Sequence, residues 1–218
     1  MPISNLGNGL RTGVCTSTNR PTTPYEGQVI YETDTDLSYV YNGSSWQQIT
    51  GGTAVGNSGL VYVSSTTIGS AVASTTVASC FSATYDNYKI VGAGISTTAN
   101  GGVLYLKINN STGSTYFGNM IYNVPATSAI GGVSAANGAS NGFFVATTSS
   151  SGTISFEATI DSPFLAVTSN CFGNYAGRAY NGQASGHDSN AVSSTGFILA
   201  PSSGTMTGGT IRVYGYRQ

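Results

Sequence analysis

The segment QVIYET, residues 28–33, restricts the fold most strongly because its side chains alternate with a period of two. Val29, Tyr31 and Thr33 point to one side of such a segment, and the intervening residues point to the other. This is the period of a half-buried β-strand, and it excludes an amphipathic helix here. The segment therefore predicts a β-strand with one face available for packing.

Two turn signals follow this strand. Asp34-Thr35-Asp36 is typical of a three-residue hairpin loop, which would pair Tyr31 with Tyr39. The next signal, Asn42-Gly43, is a strong two-residue hairpin turn and would place Tyr39 opposite Trp46. The sequence thus predicts three strands whose apolar side chains share one face: Val29, Tyr31, Tyr39, Tyr41 and Trp46.

Such a small sheet is marginally stable alone, because strands of about six residues cannot cover their own apolar face. The neighbouring sequence contains no helical pattern that could cover it. We therefore predict that these five residues form an oligomerisation or docking interface.

Residues 20–46 resemble a short module found in bacteriophage virion proteins, especially tail fibres and small accessory structural proteins. The shared pattern is RPxxPYxGQxIYETDTDxxxxxNGxxW, and it precedes a β-rich body. The matching residues are Arg20, Pro21, Pro24, Tyr25, Gly27, Gln28, Ile30, Tyr31, Glu32, Thr33, Asp34, Asn42, Gly43 and Trp46.

The body is similar, more loosely, to small β proteins of cyanophages and marine phages, through FSATYDNYKIV (81–91) and GTIRVYGYR (209–217). The two resemblances together cover about a quarter of the chain. They imply a structural protein of a phage virion that is synthesised in the host cytoplasm. They also imply partners, namely further copies in a homotrimer and other tail or capsid proteins.

Composition supports an all-β chain with an unusually uncharged surface. Charged residues make up 7% of the 218 residues, whereas ordinary soluble domains have about 25%. The 14 Tyr and 8 Phe lie in alternating segments and supply a core that disordered chains lack. Ser, Thr, Asn, Gln and Tyr must therefore form the surface.

Charge and cysteine patterns argue against several partners. The net charge is −1 and the seven Lys and Arg residues are scattered, so we expect no nucleic-acid binding. No apolar stretch approaches 18 residues, so we expect no membrane insertion. Cys15, Cys80 and Cys171 fit neither a disulfide framework nor a metal site, so we expect buried free thiols, no metal and no cofactor.

The chain divides into four predicted segments. Residues 1–24 are predicted to form an extended N-terminal arm that is ordered only when it is bound. Residues 25–50 form the hairpin module for docking, 51–58 a linker, and 59–218 an antiparallel β-sandwich body of jelly-roll-like type.

The clearest predicted strands of the body are Val103–Ile108, Thr153–Ile160 and Gly209–Tyr216. Alternation places Leu104, Leu106 and Ile108 inside the first of them. Weaker predictions are Leu60–Ser64, Tyr88–Ala93, Tyr116–Tyr122, Phe143–Ala146, Phe164–Thr168 and Gly196–Leu199. Residues 126–141, 147–153 and 172–190 are predicted as loops.

One motif has the spacing of a serine hydrolase. Gly138 to Gly142 matches G-x-S-x-G around Ser140, followed by Asp161 and by the single histidine, His187. A nucleophile elbow needs a strand before the serine and a helix after it, but here the strand FFVA follows. We therefore expect Ser140 to have no catalytic role and the protein not to be an enzyme.

Other acidic residues give little support for catalysis. Glu157 is predicted to face outward from its strand, and Asp34 with Asp36 fits a turn. This Asp-x-Asp pair lacks the further ligands of a calcium loop. Degradation of host polysaccharide stays an open alternative, because the cross-strand distances that two catalytic carboxylates need are not visible in sequence.

The predicted loop 172–190 is the best candidate for glycan binding. Aromatic rings stack on sugar faces, while amides and charges orient the ligand through hydrogen bonds. The alternative is that its tyrosines pack against the body or a neighbouring subunit. The candidate residues are Tyr175, Arg178, Tyr180, Asn181, His187 and Asp188.

Three functions are compatible with these patterns. The first is a tail-fibre or tail-tip component that docks through its N-terminal hairpin and displays the sandwich for attachment to the host surface. The second is a capsid decoration or cement protein that stabilises the phage head. The third is the polysaccharide-degrading enzyme.

Overall fold

A computed structural model describes residues 12–49, 59–109, 111–139 and 142–217. The chain separates into two compact units, residues 1–56 and residues 57–218. Strands form throughout, and no helix occurs in the described residues. The predicted all-β class with antiparallel sheets is confirmed.

The N-terminal unit is a four-stranded sheet in the order β1-β2-β3-β4. Its strands are β1 Gly13–Cys15, β2 Val29–Glu32, β3 Leu37–Tyr41 and β4 Trp46–Gln48. β1 pairs with β2 in parallel, and the other two pairings are antiparallel. The described part of the predicted arm thus contributes a strand to the module, which the sequence analysis did not predict.

The predicted register between β2 and β3 is wrong by one residue. Ile30, rather than Tyr31, pairs with Tyr39, because the connecting turn contains four residues, 33–36, instead of three. Asp36 closes this turn with a φ of 57°. Since side chains alternate between faces, this single-residue difference moves Val29 and Tyr31 to the face opposite Tyr39.

The body contains thirteen strands in the described residues. They are β5 Leu60–Thr67, β6 Thr75–Val77, β7 Asn87–Thr97, β8 Val103–Ile108, β9 Tyr116–Val124, β10 Ala129–Ala139, β11 Phe143–Thr147, β12 Thr153–Asp161, β13 Ser169–Gly177, β14 Asn181–Asp188, β15 Phe197–Pro201, β16 Met206–Thr207 and β17 Thr210–Tyr216.

These strands form two sheets in a sandwich-like arrangement. The larger sheet has the order β10-β9-β14-β13-β12-β7-β17-β5, with β16 paired to β7, and the smaller has the order β11-β8-β15-β6. β11 packs against β9, β12, β13 and β14 of the larger sheet. All five residues of β11 are buried, as expected for a strand between the layers.

The strongest strand predictions are confirmed in position and facing. Leu104, Leu106 and Ile108 are fully buried, as the alternation in β8 predicted. On β12, Ile154 and Phe156 are buried in the same core. The weaker strand predictions also correspond to observed strands, except Phe164–Thr168, which is wrong because these residues form bends and turns.

Two of the three loop predictions are wrong, whereas residues 148–152 do form a loop between β11 and β12. Residues 129–139 form β10, and residues 172–190 belong largely to the β13–β14 hairpin. Gly and Ser suggested irregular structure in these segments. In the folded protein, glycine allows close packing within these strands: a Cβ on Gly131 of β10 would lie 2.6 Å from the Tyr122 ring, so this glycine leaves the space that the ring occupies.

Candidate binding surfaces

The arm is held onto the N-terminal sheet by a buried carboxylate. Glu32 is fully buried; its side chain accepts a hydrogen bond from Arg20 Nε and another from Thr35 Oγ1 at 2.9 Å. The Arg20 guanidinium also lies 4.3 Å from the centre of the Tyr39 ring. Hydrogen bonding to Arg20 lowers the pKa of Glu32, which keeps the carboxylate ionised.

Two further carboxylates order the same region. Asp34 accepts hydrogen bonds from the Ser17 backbone N–H, at 2.8 Å, and from the Ser17 hydroxyl, and these bonds lower the pKa of Asp34. The Tyr31 phenol donates to Asp36 at 2.7 Å. The acidic residues of the YETDTD segment therefore fasten the arm and shape the turn in this structure.

The predicted interface residues lie on two different faces of the module. We call the face of Ile30, Glu32, Tyr39, Tyr41 and Trp46 the covered face, because Arg20 lies over it. The rings of Tyr41 and Trp46 are 5.4 Å apart there. The predicted pairing of Tyr39 with Trp46 is wrong: Trp46 pairs with Tyr41, because four residues, 42–45, connect the two strands instead of two. A shift of two residues keeps Tyr39, Tyr41 and Trp46 on one face, as predicted, whereas Ile30 and Glu32 of this face were missed.

The opposite, open face carries the other two predicted interface residues. Its members are Val14, Val29, Tyr31 and Val40, as the pairing of β1, β2 and β3 requires. Val14 is 69% exposed, and the other three are half-buried. Val14 was missed because only its pairing with Tyr31 places it beside the hairpin.

The predicted glycan-binding residues do not form one surface. Tyr175 and Asp188 are buried, on the inner side of the large sheet. His187 faces outward, and its imidazole stacks on Phe117 with ring centres 5.1 Å apart. Of the three residues near the β13–β14 turn, Tyr180 packs edge-on against Tyr122, while Arg178 and Asn181 are exposed.

The inner positions explain why Tyr175 and Asp188 are unsuited to ligand contact. The Tyr175 phenol shares a hydrogen bond of 2.8 Å with the Thr147 hydroxyl, and burial raises its pKa to about 12. Asp188 Oδ1 accepts a hydrogen bond from the Asn190 backbone N–H at 3.1 Å. Tyr175 therefore packs within the body, which was the alternative to glycan binding in the sequence analysis.

The outer side of β9, β14 and β13 carries a set of residues that the sequence analysis missed. Two adjacent rows cross these strands: Asn119, Ser185 and Phe172 form one, and Ile121, Gln183 and Asn174 form the other. We call these six residues the carboxamide patch. Only the strand register brings them together, because they come from three separate strands.

The possible hydrolase residues have no catalytic arrangement among the described residues. Ser140 lies outside that part of the chain, so its predicted lack of a catalytic role stays a prediction. Asp161 and His187 lie in one row, with Asn170 on the strand between them. Two interstrand spacings amount to about 10 Å, and no hydrogen bond in the described structure joins this pair.

Other expected features can be located in part. Cys80 and Cys171 are buried free thiols as predicted, while Cys15 is only half-buried. In the described ranges, no three His, Cys, Asp or Glu side chains lie close enough together to hold a metal ion. The same residues contain no helix long and apolar enough to span a membrane.

Comparison with known proteins adds no relative. No protein-family model matches the chain, and neither a curated protein nor a solved structure is significantly similar.

Proposed function

We propose that this chain is a structural protein of a bacteriophage virion, most consistent with a tail-fibre or tail-tip component. In this role, the N-terminal module docks on other virion proteins and the sandwich body is displayed for attachment to the host surface. Copies of the chain associate as a homotrimer, as the resemblance implies.

The observation that carries this proposal is the structural role of the residues behind the resemblance. Arg20, Glu32 and Asp34 all belong to the phage-like pattern, and they fasten the arm to the hairpin. Their side chains are thus used to build a small self-contained unit. A unit with this internal bonding is suited to serve as a transferable attachment module.

The open face is the better candidate for the docking surface. It presents Val14, which is 69% exposed, beside Val29 and Val40, whereas Arg20 lies over the opposite face. A contact that buries Val14 would release apolar surface from water, which favours association. The original interface prediction is thereby refined to this side of the module.

A capsid decoration role is a second candidate, favoured by the compact body. The strands of residues 57–218 belong to one compact unit rather than to an extended array of repeats. Such a unit suits a small accessory protein on the phage head. The two roles differ in the position of the protein on the particle and in its effect on host adsorption.

Docking can be tested by incorporation of full-length variants into particles. Val14→Asp places a charge on the open face, and we expect at least a tenfold loss of incorporation, because a contact would have to bury that charge. The matched control is Val167→Asp, an exposed valine of the body, 47% accessible. Equal incorporation of both variants would contradict docking through the open face.

Antibody-labelled electron microscopy would distinguish the two virion roles. Label at the tail supports the tail component, and label over the head supports decoration. Competition by the purified chain with phage for host cells is expected only for the first role. Absence of the protein from purified particles would refute both.

A further inference from the structure

The carboxamide patch has the chemistry of a binding site for an uncharged ligand. Asn119, Asn174 and Gln183 each carry an amide that both donates and accepts hydrogen bonds. Gln183 makes no side-chain hydrogen bond in the described structure, and the Asn119 carbonyl oxygen accepts only from Ser185, at 3.4 Å. Gln183 and Asn119 therefore keep most of this hydrogen-bonding capacity for a ligand, whereas Asn174 also hydrogen-bonds to Glu157.

The patch contains two adjoining depressions. One, of about 260 Å³, is lined by Asn119, Phe172, Asn174, Gln183 and Ser185 among others, and the next, of about 300 Å³, includes Ile121 and Ile130. Asn174 and Gln183 line both, so a chain of several rings could occupy the two together. Their volumes lie near the lower limit of ordinary ligand pockets.

Phe172 supplies an apolar surface at the edge of the amides. Its side chain is 52% exposed although it lies on a regular strand. An aromatic ring beside amide groups matches the two surfaces of a sugar ring, which has an apolar C–H face and a rim of hydroxyls. The sheet therefore combines the two kinds of contact that a carbohydrate requires.

The charge distribution selects against ionic ligands. No residue lining either depression is charged. By register, Lys89 lies next to Thr159 in the row of Phe172, and it is paired with Glu157 at 2.6 Å. Phosphates and acidic groups would therefore meet no charged lining residue in either depression, whereas neutral hydroxyls need none.

We propose that the carboxamide patch binds a neutral oligosaccharide, with Phe172 stacking on one ring and Gln183 and Asn174 hydrogen-bonding to its hydroxyls. This proposal deepens the host-attachment role and rests on it. A second copy of the chain fits less well, since the centres of protein interfaces are more apolar than this amide-rich centre.

An immobilised panel of neutral gluco-, galacto-, manno- and N-acetylglucosamine oligosaccharides tests the proposal with the purified full-length chain. Sialylated and sulfated oligosaccharides serve as the charged probes. We expect binding to at least one neutral probe, about tenfold weaker binding by Phe172→Ala, and a smaller loss for Gln183→Ala. The matched control is Tyr62→Ala, an aromatic residue 58% exposed on β5 of the same sheet.

Several outcomes would overturn the assignment. They are no binding to any neutral probe, binding to charged probes alone, and unchanged affinity in both patch variants. Light scattering, which measures the oligomeric state, tests whether the patch is instead a contact between copies of the chain. Conversion of an oligomer to a monomer by Phe172→Ala would show that it is. If the chain binds no neutral oligosaccharide but is incorporated normally into particles, only the sugar site is rejected. If the protein is absent from particles, the virion role is rejected.

Discussion

Removal of the Tyr175 hydroxyl tests the inward orientation of the β13–β14 hairpin. Tyr175 is 5% exposed, and its phenol shares a 2.8 Å hydrogen bond with Thr147. In the part of the chain that the structure describes, the Thr147 hydroxyl has one other polar contact, with Met120 Sδ at 3.7 Å. Tyr175→Phe would thus leave a buried hydroxyl with a weak thioether acceptor.

The expected loss in free energy of unfolding follows from the strength of this hydrogen bond. A typical internal hydrogen bond contributes about 1 kcal/mol, and a buried hydroxyl without a good partner raises the loss toward about 2 kcal/mol. For a chain of this length, that loss corresponds to a fall in Tm of roughly 3–8 °C. Thr147→Val should destabilise the protein similarly, and the double variant should lose about 1 kcal/mol less than the sum.

Chemical denaturation of the full chain provides the assay. Far-UV circular dichroism follows mainly the larger body, and the single tryptophan, Trp46, reports separately on the N-terminal module. Tyr175→Phe should leave the Trp46 transition and any sugar binding unchanged. Additive single losses, or a loss of sugar binding with unchanged stability, would refute the inward position of Tyr175.

Three other predictions concern pH, the arm and the hydrolase-like motif. Burial raises the pKa values of Cys80 and Tyr175 to about 12, so both groups stay neutral in the folded state. The stability that these two neutral groups contribute is fully present below their unfolded-state pKa values, and it declines as pH rises toward about 12. Alkaline denaturation should show this decline, and the decline should be smaller in Tyr175→Phe. The lowered pKa of Glu32 predicts the opposite pH dependence, because the N-terminal module should lose stability as pH falls below the ordinary glutamate range. Trp46 fluorescence should report this loss. Glu32→Gln should make the stability of the module less dependent on pH. Ser140→Ala should leave any hydrolysis of host-surface polysaccharide unchanged, and a loss in a folded variant would favour the enzyme alternative.

The module shows how far local patterns predict a site. Alternation identified β2 and β3, but the predicted two-residue turn at Asn42-Gly43 was wrong, because Trp46 pairs with Tyr41 rather than with Tyr39. The length of the preceding turn was wrong by one residue, and that error assigned Val29 and Tyr31 to the wrong face. The pairing of β1 with β2 was not predictable from the hairpin pattern, because it joins residues separated by a long connection.

The body shows the same limit over longer distances. Val103–Ile108 and Thr153–Asp161 have apolar residues at every second position, so their strands and inner faces could be predicted. In β10 and β13–β14, Gly, Ser and Asn obscure that period. These segments become strands because neighbouring strands supply backbone hydrogen bonds, which a propensity argument does not include.

The sequence by itself determined the all-β class, the strongest strands and the uncharged character of the surface, because these depend on local period and composition. Only the tertiary structure decided which side chains meet. Asn119, Phe172 and Gln183 belong to three strands whose register creates the carboxamide patch. Arg20 and Glu32 are twelve residues apart, yet the folding of the arm onto the hairpin joins them in an ion pair. In both cases the contact depends on strand pairing and turn length, which act between segments and leave no local periodic pattern.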